Sequence, residues 1–108
     1  MEYTIEFYSE LVQDEILDWP DGIQASFTRI TEMMAVHGSN LGLPYTRAFG
    51  EGLFEIRAKG REGIGRAFFC TLIGRRVVIL HGFIKKTEQT PTKELRTARQ
   101  RLNEVQNG

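Results

Sequence analysis

Three apolar runs separated by short turns constrain the fold of this chain more than any other feature. They cover Leu53–Lys59, Ile64–Ile73 and Val77–Ile84, and the first run alternates apolar and charged residues as a half-buried strand does. The segments between them, Gly60–Gly63 and Gly74-Arg75, are short enough for hairpin turns. We therefore expect three consecutive strands in an antiparallel meander.

Before Leu53 the spacing of the apolar residues is different, and most of it is typical of helices. Tyr3–Tyr8 alternates like a short strand, which we expect at a sheet edge. Two helices should follow, because apolar residues recur three or four positions apart from Val12 to Trp19 and again from Ile23 to Met34. Pro20 separates these helices, and residues 38–52 are predicted to form a long loop.

A third helix is expected from about Pro91 to Val105. Its inward positions should be Leu95, Ala98, Leu102 and Val105, and its mainly outward positions Lys93, Arg96, Arg99 and Arg101. The predicted order is β-α-α-β-β-β-α, an α+β fold in which a helical hairpin packs on a small antiparallel sheet. With 108 residues, the chain is expected to form one domain, residues 1–108.

Charge is distributed unevenly along the chain, although the net charge is zero. Residues 1–40 hold one base and eight acids, a balance of −7, whereas residues 41–108 hold 13 bases and six acids, a balance of +7. Such asymmetry indicates either a nucleic-acid surface on the basic part or mutual attraction of the two halves in the fold.

Several classes of protein and site are excluded by simple patterns. No apolar run approaches the ~18 residues of a membrane span, and the first residues lack the basic and apolar regions of a signal peptide. We expect a cytoplasmic protein whose single cysteine, Cys70, is a buried reduced thiol. Phosphate-loop, zinc and serine-nucleophile motifs are absent, so no metal or cofactor is predicted.

Cations remain as the candidate functional groups. Arg66 interrupts an apolar run, so it either pairs with Glu55 or lies exposed and binds a phosphate; the second interpretation is slightly favoured. Lys85 and Lys86 should point to opposite faces of a continuing strand, so at most one reaches a site. His81 would share a face with Val77, Ile79, Phe83 and Lys85, where it is either a core residue or a proton-transfer group.

The C-terminal two-thirds of the chain resembles toxins of the RelE/ParE superfamily, and within it the HigB-like, phage-derived branch. The pattern that carries the resemblance is Leu43-Pro44, Gly52–Arg57, Gly65–Phe69, Leu80–Thr87, Thr90-Pro91, Glu94 and Ala98. Its most specific part is Phe83–Thr87 followed by Thr90-Pro91.

The resemblance implies a toxin of a type II toxin–antitoxin pair, whose partner is a helix-turn-helix antitoxin. RelE-like members cleave mRNA, typically on the ribosome, whereas ParE-like members inhibit DNA gyrase. Arg57, Arg66 and the pair Lys85-Lys86 match basic positions where RelE-like enzymes carry phosphate-binding and catalytic side chains. The chain departs from the pattern in its zero net charge and in having no tyrosine after Tyr45.

We therefore expect a metal-independent endoribonuclease that cleaves mRNA in association with the ribosome. Arg66, Lys85, Lys86 and His81 are the expected catalytic residues, with His81 as the candidate base, and the expected RNA-binding residues are Arg57, Lys59 and Arg61. The RNA itself supplies the nucleophile, its 2′-OH. The alternatives are a gyrase inhibitor and a binding module without activity.

Overall fold

The computed structural model of the chain describes residues 2–85 and 90–108. These residues form three helices and five strands in the order β1 Thr4–Phe7, α1 Glu10–Leu17, α2 Asp21–His37, β2 Thr46–Gly50, β3 Leu53–Gly60, β4 Gly63–Leu72, β5 Arg76–Lys85 and α3 Thr92–Asn107. The strands make one sheet in the order β1-β5-β4-β3-β2. In the described part of the chain, no helix has the length and apolar character needed to cross a membrane.

The predicted meander is confirmed. β3 pairs antiparallel with β4, and β4 pairs antiparallel with β5. The second of these hairpins turns at Gly74 and Arg75, whose φ angles of 90° and 58° are both left-handed. Leu72 pairs with Arg76, so the loop has three residues, 73–75, and hairpin loops of this length commonly end on a left-handed residue, as Arg75 does here.

The two outer strands differ in detail from the sequence prediction. β1 lies at the sheet edge as expected, but it runs parallel to β5, so the sheet is mixed. β2 lies within the predicted loop 38–52 and pairs antiparallel with β3. It escaped detection because it is only five residues long and its pairing shifts register between Ala48 and Gly50, which disturbs the two-residue alternation.

The helical hairpin of α1 and α2 covers one face of the sheet, which we call the hairpin face. Ser9 caps α1 by accepting a hydrogen bond from the Val12 amide at 3.2 Å. The buried side chains of this face are Val12, Ile16, Trp19, Ile23, Phe27, Ile30, Met34, Ile56, Ala58, Ala67, Phe69, Val77 and Ile79. This cluster is a close-packed hydrophobic core, and the buried polar residues on the same side of the sheet, Ser26 and Thr46, carry no charge.

The third helix packs on the opposite face, which we call the α3 face. Its buried apolar cluster consists of Leu53, Phe68, Cys70, Val78, Leu80, Ala98 and Leu102. The predicted inward positions of α3 are confirmed, and so is the buried free thiol of Cys70. Burial raises the pKa of this thiol to about 11, which keeps it protonated and unreactive.

A β-bulge in β5 corrects the predicted orientation of His81. Phe68 lies opposite His81, whereas the next residue, Phe69, lies opposite Ile79, so Leu80 is an extra residue on β5. The bulge lets Leu80 and His81 both lie toward the α3 face. The expectation that His81 shares a face with Val77 and Ile79 is therefore wrong, because it assumed a regular strand.

Candidate functional site

Two rows of residues cross the α3 face beside the apolar cluster. Pairing of β3, β4 and β5 aligns Arg57, Arg66 and Phe83 in one row, and Lys59, Ile64 and Lys85 in the next. Since directly opposed residues of neighbouring strands point to the same side, these side chains share one surface. We call it the basic rows. The sequence predicted these cations, and the strand pairing brings them together.

At the centre of the basic rows lies a buried ion pair. Arg66 Nη1 donates to Glu55 Oε1 at 2.9 Å and to Oε2 at 3.1 Å, and the two side chains are 1% and 0% exposed. The expectation of an exposed Arg66 aimed at a phosphate is therefore wrong. A buried guanidinium needs a partner, and Glu55, the alternative that the sequence offered, supplies it.

Among the described residues around this ion pair, cations outnumber the one carboxylate, Glu55. Glu55 also approaches Arg47 on β2, with Nη2 and Oε1 3.5 Å apart, and Arg47 in turn lies over the ring of Phe49. Arg57 forms no ion pair within residues 2–85 and 90–108, and its Nε is buried without a hydrogen-bond partner. One negative charge thus faces Arg47, Arg57 and Arg66, which leaves a positive potential suited to an anion.

His81 forms a pair with Glu94 in the first turn of α3. His81 Nε2 lies 2.6 Å from Glu94 Oε1, and the side chains are 13% and 26% exposed. Arg101 Nη1 lies 3.5 Å from His81 Nδ1. Since a guanidinium has only donors, this arrangement favours the tautomer in which Nε2 donates to the carboxylate and Nδ1 keeps its lone pair. The same polarity orients the histidine base in hydrolytic triads.

The partners of His81 were only partly visible in the sequence. Glu94 belongs to the pattern that suggested the family, but no spacing rule linked it to His81. Arg101 was expected to face outward and instead donates to the Leu80 carbonyl at 2.8 Å and lies over the ring of Tyr8. The bulge explains this contact, because it removes Leu80 from the regular ladder and its carbonyl takes a side-chain donor.

Arg99 is a second arginine of α3 that was predicted to face outward and instead contacts the sheet. Its guanidinium donates to the Phe49 carbonyl at 2.8 Å and to the Gly50 carbonyl at 3.0 Å. These bonds fasten α3 to the end of β2. Arg99 therefore has a structural role, although its charge is not neutralised by these carbonyl acceptors.

The other predicted site residues lie around this centre. Lys59 and Arg61 are exposed at the end of β3 and in the turn that follows it, and Lys85 is the last residue of β5 and partly buried. Lys86 lies outside the described residues. Arg61 adjoins Glu62, whose carboxylate accepts from the Gly22 amide at 3.0 Å at the start of α2. This backbone hydrogen bond lowers the pKa of Glu62.

Among residues 2–85 and 90–108, no three His, Cys, Asp or Glu side chains come together in a way that could bind a metal ion. His81 and Glu94 form a pair only. The chemistry available here is that of an imidazole oriented by a carboxylate beside a cationic surface.

Comparison with known proteins assigns the chain to a family. No curated protein matches it significantly. A family model described as phage derived protein Gp49-like (DUF891) matches residues 14–103, which include all the described site residues. The finer placement in a HigB-like branch stays a prediction. The chain belongs to the phage-derived Gp49-like family, a RelE-like family of toxin-type proteins of toxin–antitoxin systems.

Proposed function

We propose that this protein is the toxin of a type II toxin–antitoxin module and a metal-independent endoribonuclease that cleaves mRNA, in association with the ribosome. The observation that carries the proposal is the His81–Glu94 pair, 2.6 Å apart, beside the basic rows of a Gp49-like chain. It supplies an oriented base, and the rows supply cations for phosphate.

In this proposal His81 acts on the 2′-OH of the RNA. Its Nδ1 accepts the hydroxyl proton while the 2′-oxygen attacks the adjacent phosphorus, and Glu94 holds the imidazolium that forms. The hydroxyl replaces Arg101, whose contact with Nδ1 is a long 3.5 Å. Positioned general-base catalysis of this kind contributes about 10²–10⁴-fold to a rate.

The cations take separate roles. Arg57 and the lysine pair Lys85-Lys86 contact the phosphate and stabilise its developing charge, and one lysine protonates the leaving 5′-oxygen. Arg66 is a positioning residue, because its guanidinium is buried and bonded to Glu55. It holds Glu55 away from the RNA phosphates and keeps neighbouring Arg57 unpaired.

A second candidate function is inhibition without catalysis, as a ParE-like gyrase inhibitor or a binding module. The burial of Arg66 and the occupation of both ring nitrogens of His81 favour it. In that case the basic rows would bind a partner and perform no chemistry. The cognate antitoxin would then cover the same positive surface.

Induced expression with substitution of each histidine tests the proposal. Wild-type protein should stop growth and deplete mRNA while plasmid supercoiling stays normal. His81→Gln should reduce purified cleavage activity by about 10²–10⁴-fold. His37→Gln, at the exposed end of α2, is the matched control and should leave the rate unchanged. Loss of supercoiling with intact mRNA would instead support the gyrase candidate.

A further inference from the structure

A cavity lies where β3 leaves the cover of β2, next to the basic rows. Its volume is about 250 Å³, and it is lined by Ser26, Arg29, Ile30, Pro44, Tyr45, Arg57, Lys59 and Ile64. The volume is somewhat below the ~300–1,000 Å³ of typical small-molecule pockets. A cavity of this size suits one phosphate group with part of its sugar.

The charge of the lining has one sign. Arg29, Arg57 and Lys59 contribute three cations, and none of the described residues that line the cavity is a carboxylate. None of the three forms an ion pair within the described residues, in contrast to Arg66 and Arg76. Three unneutralised cations around one concave space attract an anion strongly, because low-dielectric walls concentrate the field.

Donor groups are left without partners at the same place. The Nε of Arg57 is buried and lacks an acceptor in the part of the chain that the structure describes. Pairing of β2 with β3 ends at Ile56, after which the Arg57 amide donates to the Tyr45 carbonyl at 2.8 Å. Lys59, two residues on, points its amide to the same side, where no described strand pairs with it.

Tyr45 gives the cavity an aromatic rim. The residue is 38% exposed, so part of its ring is available beside the cations. Single-stranded RNA is bound by the combination of cations for phosphates and exposed aromatic rings for bases. The aromatic rim therefore favours a nucleotide phosphate over a bare inorganic ion.

We infer that this cavity binds one phosphate of single-stranded RNA next to the scissile phosphate, with Arg29 on α2 as a contact that the basic rows do not provide. The inference rests on the proposed function, since it names how that site holds its substrate. Arg57 belongs to both the cavity and the basic rows, so it connects the two bound phosphates.

The test compares two single-charge variants of the whole protein. Arg29→Gln removes a cation from the cavity, and Arg75→Gln removes one from the exposed turn at the other end of β5. Inorganic phosphate is titrated into labelled protein and followed by amide NMR shifts. Binding of an RNA carrying a 2′-deoxy scissile nucleotide, which prevents cleavage by the proposed chemistry, is measured over a range of salt concentrations.

The inference predicts saturable shifts of the Lys59 and Tyr45 amides with phosphate, which Arg29→Gln abolishes. Arg29→Gln should weaken RNA binding about tenfold, the loss of one charged contact, and lower the salt slope by about 0.7. Arg75→Gln should change neither. Shifts with phosphate but unaltered RNA affinity in Arg29→Gln would mean a site for free phosphate and would overturn the inference.

Failure of this inference and failure of the proposed function are distinguishable. If Arg29→Gln binds RNA as wild type does and neither Lys59 nor Tyr45 shifts, the cavity site is wrong even when the enzyme cleaves. If the variant weakens RNA binding but wild type cleaves no RNA, the cavity stands as an RNA phosphate site without a scissile neighbour, and the endoribonuclease proposal falls.

Discussion

The two faces of the sheet bury different kinds of residue. On the hairpin face the buried residues are apolar apart from the uncharged Ser26 and Thr46, and two helices cover them. On the α3 face one helix covers an apolar cluster, and beside it lie a fully buried ion pair and a half-buried His–Glu pair. The first face can be explained by packing alone. The second carries charges that packing does not need.

This difference indicates where function is concentrated. Burying Arg66 and Glu55 is expensive compared with apolar residues of similar size, so a buried pair is weak evidence of stabilisation and invites another explanation. The free Arg57 and the cavity lie directly beside it. The costly pair therefore adjoins the surface that we propose binds RNA.

The largest expected effect of a single substitution is on the buried ion pair. Glu55→Gln leaves the Arg66 guanidinium buried without a countercharge, and breaking such a pair costs about 3–5 kcal/mol. Urea denaturation should show this loss in the free energy of unfolding. A loss below 1 kcal/mol would mean that water or a neighbour replaces Glu55.

Replacing both members of the Glu55–Arg66 pair separates their effect on stability from their effect on function. Glu55→Leu combined with Arg66→Met removes both charges, and it should recover most of the stability lost in Glu55→Gln. We expect the stable double variant to lose toxicity, because Arg66 no longer positions the site. Full toxicity in that variant would mean that the Glu55–Arg66 pair has a structural role only. The buried residues of the α3 face would then serve stability alone, as those of the hairpin face do.

On the hairpin face the largest effect should come from crowding. A Cβ built on Gly65 would lie 2.6 Å from Trp19 Cζ3 and 2.7 Å from Ile23 Cγ2, both in the packed core. Gly65→Ala should therefore destabilise the fold by about 1–3 kcal/mol. Gly82→Ala, with nearest approaches of 2.9–3.1 Å, is the milder control, and thermal unfolding measures both.

The smallest effect concerns the exposed counterpart of the buried pair. Arg76 Nε donates to Glu6 Oε2 at 2.8 Å, but the two side chains are 48% and 38% exposed. The hydrogen bond from Arg76 lowers the pKa of Glu6 below its ordinary value of 4.5. The contribution of the Arg76–Glu6 pair to stability is therefore fully present above pH 4.5 and is lost as pH falls through the lowered pKa of Glu6.

Arg76→Gln tests this pair against the buried one. The variant should match wild type in stability at low pH and fall only slightly below it at neutral pH, because solvent screens an exposed pair. Unfolding curves at several pH values measure the difference. A loss as large as that of Glu55→Gln would remove the contrast between buried and exposed pairs.

The sequence predicted the hairpin face well and the α3 face incompletely, and the reason is physical. The spacing of apolar residues along helices and strands predicts which residues are buried. Burial alone explains where residues such as Ile23 and Phe69 lie. The spacing does not report a one-residue bulge at Leu80, which changed the orientation of His81. Nor does it choose between a phosphate and Glu55 as the partner of Arg66, because both satisfy the same charge.

The missed contacts follow the same rule. Glu94 and Arg101 meet His81 only because α3 crosses β5 at one particular place, and no local pattern encodes that crossing. Arg47 reaches Glu55 through a strand that was predicted as loop. Long-range polar pairs need the tertiary arrangement, whereas the cations that form them were visible as exceptions to the pattern.

Cleavage of a defined RNA in excess chelator tests the central claim most directly. The account predicts that wild-type protein cuts the all-ribose target without added metal and leaves a 2′,3′-cyclic phosphate or 3′-phosphate with a 5′-hydroxyl. The same target with one 2′-deoxy substitution at the scissile nucleotide should bind but remain uncut. Cleavage of the deoxy target at the normal rate, or loss of cleavage in chelator, would contradict the account.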